Sequence, residues 1–369
     1  MKYYLIAGEA SGDLHGANLM KSLKKQDADA TLRFWGGDLM REEGGTLVKH
    51  YRDLAFMGFM EVVLNLRTIL KNIDFCKKDI EAFNPDVIIF IDYPGFNMRI
   101  AAWAKKKKIP THYYISPQIW AWKEGRIKTI KRDVDRMYVI LPFEKDFYEQ
   151  KHNFKVDFVG HPLIDAIQEF PAVDDADFRK KNGLNFKPII ALLPGSRKQE
   201  IKKMLEIMLS VAPEFEEYQF VIAGAPGQEE SFYGKFLTKT NIKLVTKQTY
   251  ELLSVAKAAL VTSGTATLET ALFKVPQIVC YKGGRVSYEI AKRVIKLKYI
   301  SLVNLILDKP VVTELIQHDL NKKRLSEELH KILDPVTRNR IFLDYYELEQ
   351  KLGGKGASDK TAELIFASL

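Results

Sequence analysis

Apolar residues in this chain fall into short, nearly unbroken runs: Tyr3–Ala7, Val87–Ile91, Met137–Leu141, Pro188–Leu193, Gln219–Ala223, Ala258–Thr262 and Gln277–Tyr281. Each run is too short for a buried helix and lacks the alternation of a half-exposed strand. This is the pattern of parallel strands covered on both faces. Between the runs lie segments with apolar residues at helical spacing, clearest at Leu14–Lys25, Asn97–Lys107 and Ile201–Val211. Strand and helix patterns that alternate along the chain predict α/β architecture with parallel sheets.

The alternation breaks once. Phe154–Asp165 reads as a last strand and a turn, Ala166–Asn185 is polar and patternless, and a second series starts at Lys187. A boundary within Ile164–Asp177 follows, giving domains at 1–170 and 171–340, with a helical tail over 341–369 that packs back on the first domain. A length of 369 residues with 46% hydrophobic content suits two cores rather than one. The net charge of +9 asks for an anionic partner without choosing among nucleic acid, anionic lipid and a phosphorylated substrate. Two distant cysteines, Cys76 and Cys280, form no disulfide framework and fit a reducing compartment. No run approaches the roughly 18 apolar residues of a spanning helix, so a soluble or peripheral protein is expected.

In open parallel sheets, ligands bind beyond the carboxyl ends of the strands, which directs attention to four loops. Ala7–Asp13 (AGEASGD) brings small residues and Glu9, Ser11 and Asp13 to a helix start; it suits either ligand approach or a capped turn. Ile91–Asn97 (IDYPGFN) places Asp92 at the end of a strongly apolar strand, as a general base or a turn cap. Leu193–Arg197 (LPGSR) offers the Gly195 and Ser196 amides and the Arg197 guanidinium. A cation at a helix N-terminus opposes the dipole, a conflict that a bound diphosphate resolves. Thr262–Glu269 (TSGTATLE) delivers Ser263, Gly264, Thr265 and Thr267 into a second helix start, with Glu269 one turn in, where it could hold a ribose.

A further stretch, Phe56–Phe83, carries Val62, Val63, Leu66, Ile69, Leu70 and Ile73 at helical spacing, interleaved with Arg67, Lys71, Lys77 and Lys78. It reads either as a core-facing helix or as a basic amphipathic helix for a lipid interface. Asp133-Val134-Asp135 has the D-x-D form of some metal-dependent glycosyltransferases but sits in a basic helical segment, which favours a structural role. No H-e-x-x-H-type or Cys/His metal cluster, P-loop, G-x-S-x-G or G-x-G-x-x-G occurs.

Taken in order, AGEASGD at Ala7–Asp13, GGDLM at Gly36–Met40, FMGFMEVVL at Phe56–Leu64, IDYPGFN at Ile91–Asn97, YYISPQIWAWKEGR at Tyr113–Arg126, LPFEKDFY at Leu141–Tyr148, VGHPLID at Val159–Asp165, LLPGSR at Leu192–Arg197 and TSGTATLE at Thr262–Glu269 resemble the lipid-A-disaccharide synthase family. The resemblance implies two Rossmann-like domains with parallel sheets facing a cleft, the GT-B type of glycosyltransferase. It implies an inverting enzyme with no metal and no cofactor. Such an enzyme moves 2,3-diacylglucosamine from UDP-2,3-diacylglucosamine to the 6-hydroxyl of 2,3-diacylglucosamine 1-phosphate, at the cytoplasmic, inner face of the inner membrane. It implies a lipid surface as partner, no nucleic acid, and leaves a homo-oligomer open.

Roles carried over from the family are Asp92 as base, with Glu9 and Ser11 on the acceptor side. Arg197, Gly195, Ser196, Ser263, Gly264, Thr265 and Thr267 fall on the UDP diphosphate, Glu269 on the ribose, and Asn304 near the nucleotide sugar. Phe56, Met57, Phe59, Met60, Val63, Leu66, Arg67 and Leu70 fall on the membrane. The chain departs from the family pattern at Gly95, where several relatives carry a second acid, and at Asp308-Lys309-Pro310, which replaces a Gly-Arg-Glu. Two other functions compete: a UDP-sugar epimerase on the same fold, and a nucleic-acid binder that stacks bases on Tyr113, Tyr114, Trp120 and Trp122 beside Lys123 and Arg126.

Overall fold

The computed structural model of the chain describes residues 1–54, 66–226, 228–237, 242–284 and 297–369. Contacts divide it into two units, Met1–Asp165 with Leu352–Leu369, and Ala166–Lys351.

The first unit holds a seven-stranded sheet of β1 (Lys2–Ala7), β2 (Thr31–Gly36), β3 (Thr46–His50), β4 (Val87–Ile91), β5 (Thr111–Tyr114), β6 (Arg136–Val139) and β7 (Asp157–Phe158). Their order in space is β3-β2-β1-β4-β5-β6-β7, and every pairing is parallel. All five residues of β4, Val-Ile-Ile-Phe-Ile, are fully buried. That burial is why the sequence shows a solid apolar run there and no alternation. Helices Ala10–Gln26, Leu66–Phe83 and Pro94–Lys106 flank the sheet. The C-terminal helix Ala357–Phe366 returns to this unit, where Asp165 accepts hydrogen bonds from the amides of Gly356 (2.6 Å) and Ser358 (3.3 Å) at its first turn.

The second unit repeats the plan with β8 (Ile189–Leu193), β9 (Gln219–Gly224), β10 (Ile242–Thr246), β11 (Ala256–Thr262), β12 (Gln277–Tyr281) and β13 (Thr313–Ile316). The order is β10-β9-β8-β11-β12-β13, again all parallel. Across the two sheets the seven apolar runs of the sequence are all strands, within a residue or two at their ends. The turn expected near Asp165 is instead a helix, Pro162–Gln168, and the patternless stretch contains another, Asp175–Lys181. The last long helix, Pro335–Lys351, stays with the second unit.

Each sheet reverses its winding once. In the first unit β1 leads outward to β2 and β3, and the chain returns to lay β4 on the other side of β1; in the second, β8 and β11 stand in the same relation. A crevice opens at such a switch point, because the loops leaving the two central strands diverge to opposite faces. The four loops that the sequence singles out are the ones that leave β1, β4, β8 and β11.

Candidate functional site

At the first switch point, three glycine-bearing segments interlock. Gly8 has no Cβ because one would lie 2.3 Å from the Tyr93 ring, and Gly12 lies against Ala7 and Ile91. The Asp13 carboxylate, buried, accepts from the backbone N–H groups of Gly37 (2.7 Å), Leu39 (3.1 Å) and Met40 (3.1 Å). The acid of the AGEASGD loop thus caps the helix Asp38–Glu42 of GGDLM, not its own helix. Two separate motifs serve one structural joint.

Asp92 stands at the end of β4 with left-handed backbone, φ 45°, and Tyr93 follows at φ 51°. Such conformations cost a non-glycine residue energy and persist only where surroundings impose them. The imposing contacts are explicit. The Asp92 carbonyl accepts from Asn97 Nδ2 (2.7 Å) and from the Tyr113 hydroxyl (2.6 Å), while the Asp92 amide donates to the Tyr114 carbonyl (3.1 Å). Asn97 is wholly buried and also reaches the Ile6 carbonyl of β1 at 3.3 Å, so one side chain ties both switch-point strands together. The Asp92 carboxyl is pushed up to about 6, first by desolvation, then by the negative charges of Glu9 and Glu144, against the Tyr93 amide, which favours the ionised form. A carboxylate with this affinity for protons takes one at neutral pH far better than an ordinary aspartate. Glu9 and Ser11 are exposed at the same mouth, and Gly95 is exposed with open space where its Cβ would be.

Sequence reasoning did not single out Glu144, which is fully buried. One carboxylate oxygen accepts from Ser116 Oγ (2.6 Å) and Trp120 Nε1 (3.1 Å), the other from the amides of Ile140 (3.2 Å) and Leu141 (2.9 Å). It staples the loop after β5 to the loop after β6. An acid directly after the apolar run Ile140–Phe143 was the available signal, since a buried carboxylate needs several donors.

At the second switch point Gly195 has φ 99°, and an added Cβ would meet the Glu200 carboxylate at 2.3 Å. The Ser196 amide donates to Glu200 Oε2 at 3.3 Å, so an acidic oxygen already occupies the anion position that this loop presents. Arg197 is the exposed N-cap residue of the helix Lys198–Met208, without a carboxylate partner among the described residues. Across the switch, Thr265 is exposed at the start of the helix Thr265–Leu272. Ser263 donates to the Ile300 carbonyl (3.1 Å) and Thr267 to the Gly264 carbonyl (2.8 Å), so these two hydroxyls shape the loop. Glu269 accepts from the Tyr250 hydroxyl at 2.9 Å; burial pushes its carboxyl up, and the tyrosine bond opposes this.

Asn304 is used up internally. Its amide group donates to the Val312 carbonyl (2.9 Å) and Glu314 Oε1 (3.0 Å), and its oxygen accepts from the amides of Val311 (2.9 Å) and Val312 (3.0 Å). Glu314 in turn accepts from the amides of Ile300 and Ser301, both at 2.9 Å. An asparagine has two donors and two acceptor lone pairs, so this one shapes the loop rather than offering a free group. Within that loop Asp308 turns left-handed at φ 49°, and Lys309 binds Asp344 (2.5 Å) and Glu347 (2.6 Å).

Phe56, Met57, Phe59, Met60 and Val63 lie outside the described residues. Leu66 opens the helix Leu66–Phe83, which buries Ile73, Cys76 and Ile80 and leaves Arg67 and Leu70 exposed, with Phe75 exposed beside them. The expected single apolar stripe therefore splits between core and surface. The D-x-D carboxylates are engaged: Asp133 with Arg132 (2.7 Å), Asp135 with Lys105 and the Thr111 amide (3.0 Å). Among the described residues no group of three metal-binding side chains forms, and no helix is long and apolar enough to cross a membrane. The four-ring stacking face of the nucleic-acid reading does not exist: Tyr113 and Tyr114 are buried strand residues, Trp120 turns to Glu144, and Trp122 alone is open.

Solved structures share this fold. The S. aureus MnaA–UDP co-structure matches with TM-score 0.68 at 15% identity, over 99% of this chain and 95% of that one. The glycotransferase of kitacinnamycin matches with TM-score 0.67 at 13% identity, over 100% and 99%. These likenesses define the architecture as GT-B, the two-unit α/β class. A family model described as lipid-A-disaccharide synthetase matches residues 3–365. Similar chains named lipid-A-disaccharide synthase come from Syntrophus aciditrophicus (41% identity, 97% of this chain and 95% of that one) and Coxiella burnetii (40%, 98% and 96%). The chain belongs to the lipid-A-disaccharide synthetase family, and is a glycosyltransferase of lipid A biosynthesis that takes a UDP-sugar donor and a lipid acceptor.

Proposed function

We propose that the enzyme joins UDP-2,3-diacylglucosamine and 2,3-diacylglucosamine 1-phosphate, with Asp92 as the base. The proton of the acceptor 6-hydroxyl passes to the Asp92 carboxylate as that oxygen attacks the donor's anomeric carbon. The bond from that carbon to the UDP oxygen breaks on the opposite face, so configuration inverts and UDP leaves with the electron pair. Arg197, the Gly195 and Ser196 amides and the helix start at Thr265 receive the diphosphate charge that develops. A diphosphate there takes over the Ser196 amide from Glu200. Glu269 receives the ribose hydroxyls, and Ser263, Gly264, Thr267 and Asn304 hold the shape of the donor loops. Glu9 and Ser11 border the acceptor.

The observation that carries this reading is the Asp92 carboxyl, pushed up to about 6 on a strained, doubly anchored backbone at a sheet switch point. Exposed Leu70 and Phe75 among Arg67, Lys71 and Lys78 support a peripheral seat for the Leu66–Phe83 helix on the anionic inner face of the inner membrane.

The test is to incubate the protein with both substrates in detergent with chelator, following UDP release and disaccharide by mass spectrometry. Disaccharide formation lost in Asp92→Ala is expected. Folded protein that makes no disaccharide sinks the reading, and UDP-GlcNAc epimerisation becomes the next assay.

A further inference from the structure

Beside Asp92, the loop that leaves β5 combines a bent backbone with firm bracing and an exposed ring. It opens with Ile115 at φ 65°, a conformation that a β-branched residue adopts only under constraint, and Lys123 is also left-handed at φ 57°. The loop is fixed from below by Glu144 through Ser116 and Trp120, and by the Tyr148 hydroxyl on the Pro117 carbonyl at 3.2 Å. The rigid base presents one large ring to solvent: Trp122 is 46% exposed. Lys123 Nζ lies 4.1 Å from the centre of the Trp122 ring and the Arg126 guanidinium carbon 5.9 Å from it.

Both cations keep their charge available. An indole face orients a cation without neutralising it, and neither Lys123 nor Arg126 has a carboxylate partner among the described residues. The one acid between them, Glu124, is drawn off to Lys151 (2.7 Å) and His152 (3.0 Å). The platform adjoins the proposed base: β5 pairs with β4, the Tyr113 hydroxyl donates to the Asp92 carbonyl, and Arg126 is near enough to favour ionisation of that hydroxyl against its burial.

We propose that Trp122, Lys123 and Arg126 form the subsite for the anionic end of the acceptor, the ring carrying the pyranose face and the two cations its 1-phosphate. The proposal deepens the reaction above and rests on it in taking the Asp92 unit as the acceptor side. Phosphate monoesters and lipid headgroups share this chemistry. A strained, internally braced loop suits one fixed ligand geometry, whereas a headgroup layer asks only for loose positive charge, so the substrate phosphate is the assigned ligand.

The test is calorimetric binding of 2,3-diacylglucosamine 1-phosphate, and of the same sugar without its phosphate, in neutral detergent. Wild type is compared with Lys123→Gln/Arg126→Gln and with Trp122→Leu, each checked for folding by circular dichroism. Wild type is expected to prefer the phosphorylated sugar about tenfold or more, the span of one charge-assisted contact. The double variant is expected to bind both forms alike, and Trp122→Leu to weaken both. Co-sedimentation with phosphatidylglycerol vesicles is expected to change little. A double variant that keeps the phosphate preference overturns the proposal, as does loss of vesicle binding with that preference intact. Because binding is read without turnover, a wild type that shows the preference yet makes no disaccharide overturns the reaction and leaves the subsite standing.

Discussion

Replacing Asp92 with asparagine should stabilise the protein at neutral pH while removing its activity. The carboxyl has its proton affinity raised from 3.8 to about 6 on folding. A carboxyl raised in the folded state holds its proton more tightly there than in the unfolded chain. Its contribution is thus neutral below the unfolded value, turns unfavourable as pH rises from about 4 to 6, and stays unfavourable above. The full shift corresponds to about 3 kcal/mol; partial solvent access at the mouth reduces the expected gain to about 1–2 kcal/mol. Asparagine keeps the shape and tolerates the left-handed φ of 45° as well as aspartate does, so the substitution removes the charge and little else. The assay is urea unfolding of wild type and Asp92→Asn at pH 7.5 and near pH 4, beside kcat at pH 7.5. The expected result is a gain at pH 7.5 that vanishes near pH 4, with kcat down by about 10²–10⁴. Equal gains at both pH values, or a loss at pH 7.5, refute the account of Asp92 as a desolvated, charged base.

Activity should show an acid limb near the Asp92 value of about 6, because only the ionised carboxylate accepts a proton; Glu9→Gln removes a negative neighbour, so that limb moves to lower pH in the pH–rate profile. Arg197→Ala should lower kcat by about 10²–10³, the span of one lost transition-state charge contact, and Arg197→Lys should recover part of it, measured by UDP release. Asn304→Ala leaves the buried amide of Val312 without its acceptor, while the Val311 amide keeps the Lys309 carbonyl at 2.9 Å, and should cost about 1–3 kcal/mol of stability in denaturant titration; an unchanged midpoint with a lost kcat would instead make Asn304 a direct ligand group.

Much of the fold was legible because burial on both faces writes an unmistakable pattern. The strands of the two sheet centres, such as Val87–Ile91 and Ile189–Leu193, are solid apolar runs. Peripheral strands were less visible. β3 (TLVKH) mixes in polar residues because an edge strand is covered on fewer sides, its neighbour β2 (TLRFWG) is interrupted by Arg33, and β7 is only two residues long. The helix Pro162–Gln168 straddles what reads in sequence as a turn ending at Asp165 and the start of a patternless stretch, since seven residues are too few for the helical period to declare itself. Of the candidate site, the loops and the place of Asp92 at a strand end are legible from composition and strand position, while its role as base rather than turn cap comes only with the family resemblance. What could not be named was which polar side chains face a ligand and which face the backbone, because that depends on partners distant in the chain.

That division gives the site its physical logic. A switch-point crevice needs loops whose amides point outward and whose backbones bend into costly conformations, and such loops do not hold themselves. Asp13, Asn97, Glu144 and Asn304 supply the holding: each binds backbone groups of these loops, and Glu144 adds the Ser116 and Trp120 side chains. Motif residues of this sort pre-pay the ordering of the site, so that substrate binding need not. By contrast, Arg197, Lys123 and Arg126 have no carboxylate partner among the described residues, and no cation offsets the raised proton affinity of Asp92. In the reaction proposed above, Asp92 accepts the proton and Arg197 stabilises the leaving group. The polar groups that do the holding account for why so many sequence signatures surround so few reacting atoms.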